Sequence, residues 1–491
     1  MTMTAKSSYK PATVKPGRLL IGGEWTASRS GKSFDVFNPA TEQKITTAAY
    51  GDAGDVDAAV AAARKAFDHG PWGKITPRER GLHLYKLADL LETHKEEFAV
   101  LESMDNGKPI SECLGFDLPQ AIDTFRYYAG WADKMTGEVN PVGSSYFSYT
   151  LREPVGVVAQ IIPWNFPLLM AAWKLGPALA CGCTSILKPA EQTPLTALRL
   201  GELILEAGFP AGVVNIITGD HVAGAALANH KNVDKVAFTG STEVGKKVMV
   251  AAAQNLKRVS MELGGKAPNI VFADADVDAA VKGAVTAIFF NQGEVCCAGS
   301  RLYLSEKIHD EFIEKFSKVA KSIKVGNPLE AATQMGAQVS LEQHEKVLGF
   351  IDAGLKGGAK LAAGGKSLRS SLGGYFLEPT IFTDTTSSMK IVQEEIFGPV
   401  VATKKFSGIE DLIEQAHDTA YGLSAGLWTK NVSLAHETAR RLRAGTIWIN
   451  CYNAFDVAVP FGGFKESGFG RELGKAALDL YTEQKAVWVA L

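Results

Sequence analysis

The sequence predicts an α/β fold with two domains built on parallel sheets, the first Rossmann-like, and a small β segment set apart from both. Three observations predict it. At 491 residues the chain exceeds what one ordinary core supports. From about Val155 to Leu263 short β-branched runs alternate with helical stretches, and a second alternation starts near Asn269. This is the sequence form of parallel α/β sheets. Finally, residues 143–152 and 486–491 break the scheme with a period-2 pattern, as an antiparallel strand and a β-rich tail would.

In chain order, residues 1–18 are polar without a long apolar core, so they read as a disordered arm rather than a secretory signal. A helix is expected over 55–67, with Asp55 as its capping acid before a run of strong helix formers. A second amphipathic helix is expected over 78–101. Strands follow at 155–162, 184–187, 213–217, 235–238 and 259–262, separated by helices at 168–181, 194–207 and 242–255. Sheets of this kind bind nucleotides at the carboxyl ends of their strands. The second alternation runs through a strand at 269–272, a helix at 277–290, a strand at 301–305 and a helix at 307–319, ending on a strand at 446–450. The divisions are therefore 19–136 with 153–262, then 263–476, with 137–152 and 477–491 left over.

Composition excludes several classes. With 46% hydrophobic and 21% charged residues the chain reads as soluble and globular. A formal charge of −2 offers no field for a nucleic acid or an anionic membrane. The longest apolar stretch, 155–172, is interrupted by Pro163, Asn165 and Pro167, so no membrane span is expected. Six cysteines without Cys-x-x-Cys or His-Glu-x-x-His argue for free thiols in a reducing cytoplasm and for no metal site. Cys181 and Cys183, in an apolar run, read as core residues.

The most informative stretch is Phe289-Phe290-Asn291-Gln292-Gly293-Glu294-Val295-Cys296-Cys297-Ala298-Gly299-Ser300-Arg301. It sets a cysteine just after a polar, glycine-containing turn, where a thiolate can face a cleft. Upstream, Met261-Glu262-Leu263-Gly264-Gly265-Lys266 places a carboxylate beside two glycines. A nucleophile and a base on separate loops suit covalent catalysis followed by a water-dependent step. A lone cysteine is more often a small buried hydrophobe, and a glutamate before Gly-Gly a surface turn residue. Spacing alone leaves both readings open.

No Gly-x-Gly-x-x-Gly follows the first strand of the nucleotide domain. Gly240 to Lys247 nearly matches a Walker A loop but has Lys247 where a magnesium-binding hydroxyl belongs, so ATP use is not expected. The segment still joins a strand to a helix, whose N-terminus suits a phosphate.

These two segments resemble the active-site motifs of the NAD(P)-dependent aldehyde dehydrogenase superfamily. So do Ile161-Ile162-Pro163-Trp164-Asn165-Phe166-Pro167, Leu187-Lys188-Pro189-Ala190-Glu191, Phe238-Thr239-Gly240-Ser241-Thr242-Glu243-Val244-Gly245, Glu394-Glu395-Ile396-Phe397-Gly398-Pro399 and Pro460-Phe461-Gly462-Gly463-Phe464-Lys465, all in the family's order. The resemblance runs from about Leu20 to the C-terminus. It implies an NAD-binding domain, a catalytic domain and a flap that carries a strand edge into a homodimer or homotetramer.

The resemblance also implies roles. Cys296, five residues before Arg301, is the nucleophile in preference to Cys297; Glu262 is the base for the hydrolytic step; Asn165 stabilises the oxyanion; Lys174 and Glu472 relay the proton from Glu262. Cofactor contacts fall on Ile162, Pro163, Trp164, Lys188, Glu191, Phe238, Gly240, Ser241, Val244, Leu263, Glu395 and Phe397. Glu191, suited to ribose hydroxyls and repelling a 2′-phosphate, favours NAD over NADP. Many relatives have a Gly-x-Gly turn near Gly219, where this chain has Asp220-His221, and that loop is left outside the expected site.

Position-matching gives an aldehyde tunnel of Phe166, Met170, Trp173, Phe290, Val295, Phe455 and Phe461, suited to hydrophobic aliphatic or aromatic aldehydes such as phenylacetaldehyde. Betaine-aldehyde or semialdehyde oxidation and transfer to coenzyme A are the alternatives, with esterase chemistry on Cys296 or a non-enzymatic structural role as further rivals. Asp456 near the mouth has no assigned role.

Overall fold

The computed structural model describes residues 7–491. Its centre is an eight-stranded sheet in which five parallel strands stand in the order Arg258–Glu262, Lys235–Thr239, Val157–Ile161, Thr184–Lys188, Val214–Ile216. The chain starts in the middle and winds outward both ways, so the order reverses between Val157–Ile161 and Lys235–Thr239. Ligands of open parallel sheets bind at such a switch point. Antiparallel strands Leu19–Ile21 with Glu24–Thr26 close one edge, and Gly468–Phe469 closes the other. The last pairing brings a late segment beside Met261 and Glu262, although the sequence division assigns it to the other domain.

A second, seven-stranded sheet runs Lys360–Ala363, Thr380–Thr383, Val400–Phe406, Arg301–Ser305, Pro268–Val271, Ser424–Trp428, Thr446–Ile449, parallel throughout except at its first pair. The fold is thus the two-sheet α/β architecture that the alternations predict. Its parallel strands read as continuous apolar runs because helices cover both faces.

Most elements lie where the sequence places them, and the differences have local causes. Asp52, not Asp55, caps helix Ala53–Asp68. Asp55 returns the favour three residues on, donating nothing but accepting from the Asp52 N–H at 3.1 Å, a reciprocal capping box. The expected helix over 78–101 is two helices, Pro77–Thr93 and Lys95–Asn106, broken at His94 and stopped by Gly107 at φ +96°. Two further helices stand where the sequence analysis places none, Leu118–Trp131, which is clearly amphipathic, and His221–Asn229, whose apolar residues show little periodicity.

Residues 7–18 are no free arm. Tyr9 N–H donates to Leu329 O at 2.9 Å and Gly17 N–H to Thr47 O at 2.7 Å; residues 1–6 lie outside the described residues. The third sheet pairs Thr482–Ala490 with Tyr146–Pro154 along their whole length, flanked by Val139–Asn140. The tail strand begins four residues before the expected 486, because Thr482, Glu483, Gln484 and Lys485 are all polar and show no apolar alternation of their own. Among the described residues no helix is long and apolar enough to cross a membrane, and no group of three or more His, Cys, Asp or Glu is placed to hold a metal. All six cysteines are free, with Cys181 and Cys183 buried.

Candidate active site

At the switch point the turn after Val157–Ile161 carries Pro163, Trp164 and Asn165, and the turn after Lys235–Thr239 carries Gly240 and Ser241. Both line a cavity of about 380 Å³ with Glu262, Leu263, Cys296, Glu395 and Phe397. The tunnel residues Phe166, Met170, Trp173, Phe290, Val295, Phe455 and Phe461 line it too. The space between the two sheets therefore gathers residues from six of the seven motifs, all but Leu187–Glu191.

Cys296 is partly exposed to this cavity and its thiol faces the Glu262 carboxyl. A hydrogen bond with the Cys297 thiol, then burial, then the Glu262 charge hold the Cys296 thiol well above its ordinary range. Burial pushes Glu262 up to about 8, against the pull of Lys174 and of the thiol. Both groups therefore hold their protons near neutrality, and a proton can pass from sulfur to the carboxyl only once Glu262 is ionised. Cys297 also borders the cavity, but it does not meet Glu262: its Sγ stands 3.6 Å from Asn453 Oδ1 and its carbonyl accepts from Tyr452 Oη at 2.9 Å.

The two glycines after Glu262 make room for protein, not for ligand alone. A Cβ on Gly264 would stand 2.3 Å from Glu395 Oε2, and one on Gly265 would stand 2.3 Å from the Cys296 carbonyl. Only glycine admits both neighbours. Glu395 accepts from Gly265 N–H at 2.9 Å, and burial raises its carboxyl to about 7. Phe397, at φ +58°, turns its ring edge-on to Trp164 with centroids 5.1 Å apart.

Asn165 is buried at the cavity wall, and its side-chain amide donates to Glu294 O at 2.9 Å. An amide has two N–H bonds, so a second remains for the cavity. Its own carbonyl is gripped by Lys108 Nζ and Asn291 Nδ2, each at 2.9 Å, while Asn106 Nδ2 holds the Trp164 carbonyl at 2.9 Å. Lys108 is fully buried, pairs with Asp117 at 2.6 Å, and lies 4.1 Å from the Phe166 ring centroid. Asn291 and Gln292 take left-handed backbone at φ +48° and +44°, a conformation that costs non-glycine residues energy. Glu112 offsets it by accepting from Asn291 N–H at 2.9 Å, as does Glu294 by accepting from Gln292 Nε2 at 3.0 Å.

The sequence reading missed this polar scaffold. The run Asp105-Asn106-Gly107-Lys108-Pro109 reads as a helix stop, and nothing local announces that it is buried. It also missed Phe116, which lines the cavity from a π-helical turn, Cys113–Asp117, with its ring 5.3 Å from that of Phe290. Such turns recur at functional sites. Lys108→Met is expected to cost about 3–5 kcal/mol, because it strands the buried Asp117 carboxylate. Urea unfolding measures it, and a midpoint equal to the parent's would show that the pair holds nothing.

Other expected residues lie off the cavity. Lys174 and Glu472 form a buried ion pair behind Glu262, with Glu472 on a bridge opposite Phe461. The side chains of Ile162 and Phe238 are buried in the core, and that of Val244 is exposed. Lys188, 5% exposed, stands 3.5 Å from Glu191, and Glu191 lines a separate groove of about 210 Å³. Arg301 is an anchor: buried, it donates to the Lys266 and Ala416 carbonyls at 2.8 Å and fixes the end of the Cys296 loop.

Residues 25–487 match the model of the aldehyde dehydrogenase family. The chain belongs to that family. Among its relatives is the Bacillus subtilis protein named DhaS, 55% identical over 475 residues that cover 96% of each chain. An aldehyde dehydrogenase from Bacillus cereus, solved as an NAD+ complex, superposes with a TM-score of 0.95 at 50% identity over 97% of each chain. An indole-3-acetaldehyde dehydrogenase solved with NAD+ gives a TM-score of 0.95 at 49% identity, again over 97% of each chain. This aldehyde dehydrogenase family member thus shares its architecture with them over 97% of its length.

Proposed function

We propose that the protein oxidises hydrophobic aliphatic or aromatic aldehydes to carboxylic acids, using NAD+ and water through a thioester on Cys296. The observation that carries the reading is the convergence of Cys296, Glu262 and Asn165 on one cavity whose opposite wall is aromatic.

The dinucleotide fits what the chain provides. Gly240 and Ser241 open helix Thr242–Ala252 at the cavity rim, and a helix N-terminus suits a pyrophosphate. Lys188 and Glu191 suit the adenosine ribose hydroxyls, and Glu395 and Phe397 the nicotinamide end. When bound, the nicotinamide supplies a hydride acceptor. The remaining chemistry belongs to protein residues. Cys296 releases its proton to solvent through the open cavity, and the thiolate sulfur bonds to the aldehyde carbon as the carbonyl π electrons move onto oxygen. The oxygen, now an anion, takes the free N–H of Asn165; loss of one such donor commonly costs about 3 kcal/mol of barrier. Once the carbon has lost hydride, a thioester remains. Glu262 then takes a proton from water, the hydroxyl oxygen bonds to the acyl carbon, and the carbon–sulfur bond breaks to return Cys296. Lys174 and Glu472, behind Glu262, suit onward transfer of that proton.

The wall of Phe116, Phe166, Trp173, Phe290, Phe455 and Phe461 is uncharged, which favours apolar aldehydes over carboxylated semialdehydes. A panel of aldehydes ranked by kcat/KM with NAD+, with and without coenzyme A, tests this. Faster turnover of short semialdehydes, or acyl transfer to coenzyme A, would overturn it.

The third sheet suits assembly into a homodimer or homotetramer. Its outer strand, Thr482–Ala490, presents Trp488 at 61% exposure beside Tyr146 and Phe147, and such an edge is normally joined to another chain. Deleting residues 486–491 is expected to reduce the particle mass seen by light scattering. A truncated chain of the parent's assembly mass would remove this sheet from the interface.

A further inference from the structure

The loop that departs from the family's glycine turn lies beside the proposed adenosine site. Thr218 O accepts from Gly51 N–H at 2.9 Å and Thr218 Oγ1 donates to Ala49 O at 2.6 Å, which ties residues 218–220 to residues 49–51. Asp220 is thereby set against the Tyr50 hydroxyl, to which it hydrogen bonds. It also caps helix His221–Asn229, accepting from Val222 N–H at 2.8 Å. One turn on, a Cβ at Gly224 would stand 4.0 Å from Lys188 Cδ, so this helix start faces the Lys188 side chain.

Two consequences follow. The N–H that a helix start would offer to a phosphate is already taken by a carboxylate. The charge balance is also negative: Asp220, Asp52 and Glu191 all act on Tyr50, whereas the cations near them are Lys188, which Glu191 and Asp220 share, and, when protonated, the imidazole of His221, 3.5 Å from the Asp220 carboxylate. Asp52 is itself occupied as the cap of helix Ala53–Asp68, which leaves Asp220 and Glu191 as the pair facing Lys188.

We infer that Asp220 is a second cofactor-selecting residue, acting with Glu191 to exclude an adenosine ribose that carries a 2′-phosphate. The inference rests on the dinucleotide reading above and sharpens it. Glu191 alone would leave Lys188 and an open helix start to receive the phosphate; Asp220 closes both. Partial burial works against its charge, yet the Val222 N–H and the Tyr50 hydroxyl hold its carboxyl below the usual range, so it stays ionised at neutral pH.

The test measures binding without aldehyde. Dissociation constants for NAD+ and NADP+ are taken from tryptophan fluorescence, and for 5′-ADP and 2′,5′-ADP from calorimetry, on the parent, Asp220→Asn, Glu191→Gln and the double variant. Asparagine keeps the helix cap, so folding is preserved and only the charge is removed. The ratio of Kd for NADP+ to that for NAD+ is expected to fall about ten-fold in Asp220→Asn and further in the double variant, with the same trend for 2′,5′-ADP against 5′-ADP. If Glu191→Gln lowers the ratio and Asp220→Asn does not, Asp220 is only a cap and the inference is overturned. A parent that binds neither dinucleotide would overturn the cofactor reading itself, a result distinct from the first.

Discussion

Cys296→Ala is expected to lower aldehyde oxidation by at least about 10⁴-fold, because in the proposed mechanism no other group forms the bond to the carbonyl carbon. Cys297→Ala is expected to keep much of the rate. The two thiols are neighbours in sequence, but only Cys296 meets Glu262, while Cys297 is 1% exposed and turned toward Asn453. Steady-state NADH formation, with circular dichroism to confirm folding, measures both. The reverse pattern would move the nucleophile to Cys297. Loss of both activities would show that the thiol–thiol hydrogen bond is itself needed.

Glu262→Gln is expected to release about one NADH per site in a first turnover and then to slow by about 10³-fold, the size of a general-base contribution. Rapid mixing resolves the burst. A missing burst would place the carboxylate in the earlier step, where it takes the Cys296 proton, which the contact between the two side chains also permits. The pH dependence follows in sign. Burial raises the Glu262 carboxyl to about 8, and a base acts only when ionised. Turnover limited by thioester hydrolysis is therefore expected to rise as pH increases through about 8 and to level off above it. A flat profile between pH 6 and 9 would mean that another group takes the water proton.

Cofactor choice, by contrast, is expected to rest on two half-buried carboxylates rather than on the fully buried machinery, so Glu191 and Asp220 variants should alter which dinucleotide binds while leaving the Cys296–Glu262 contact in place.

By itself the sequence determined the two alternations of strand and helix, and hence both parallel sheets. Buried parallel strands must be continuous apolar runs, so a segment such as Val157–Ile161 is visible without its neighbours. Glycine positions were legible as well. The Gly264-Gly265 pair announced close approach, though not that the partners would be the Glu395 carboxylate and the Cys296 carbonyl. The tertiary structure decided what depends on burial or on distant pairing. Lys108, Asp117 and Glu294 look like ordinary surface charges in sequence; they are interior only because the 106–117 segment packs under the Asn165 turn. Asp220 stands in a loop that the sequence leaves outside the site, and its meaning comes from Tyr50 and Lys188, far apart along the chain. Asp52 took the cap expected of Asp55 because backbone geometry, not residue type, fixes where a helix begins. Local propensity speaks for elements; the placement of a charge beside another is a long-range fact that only the folded chain supplies.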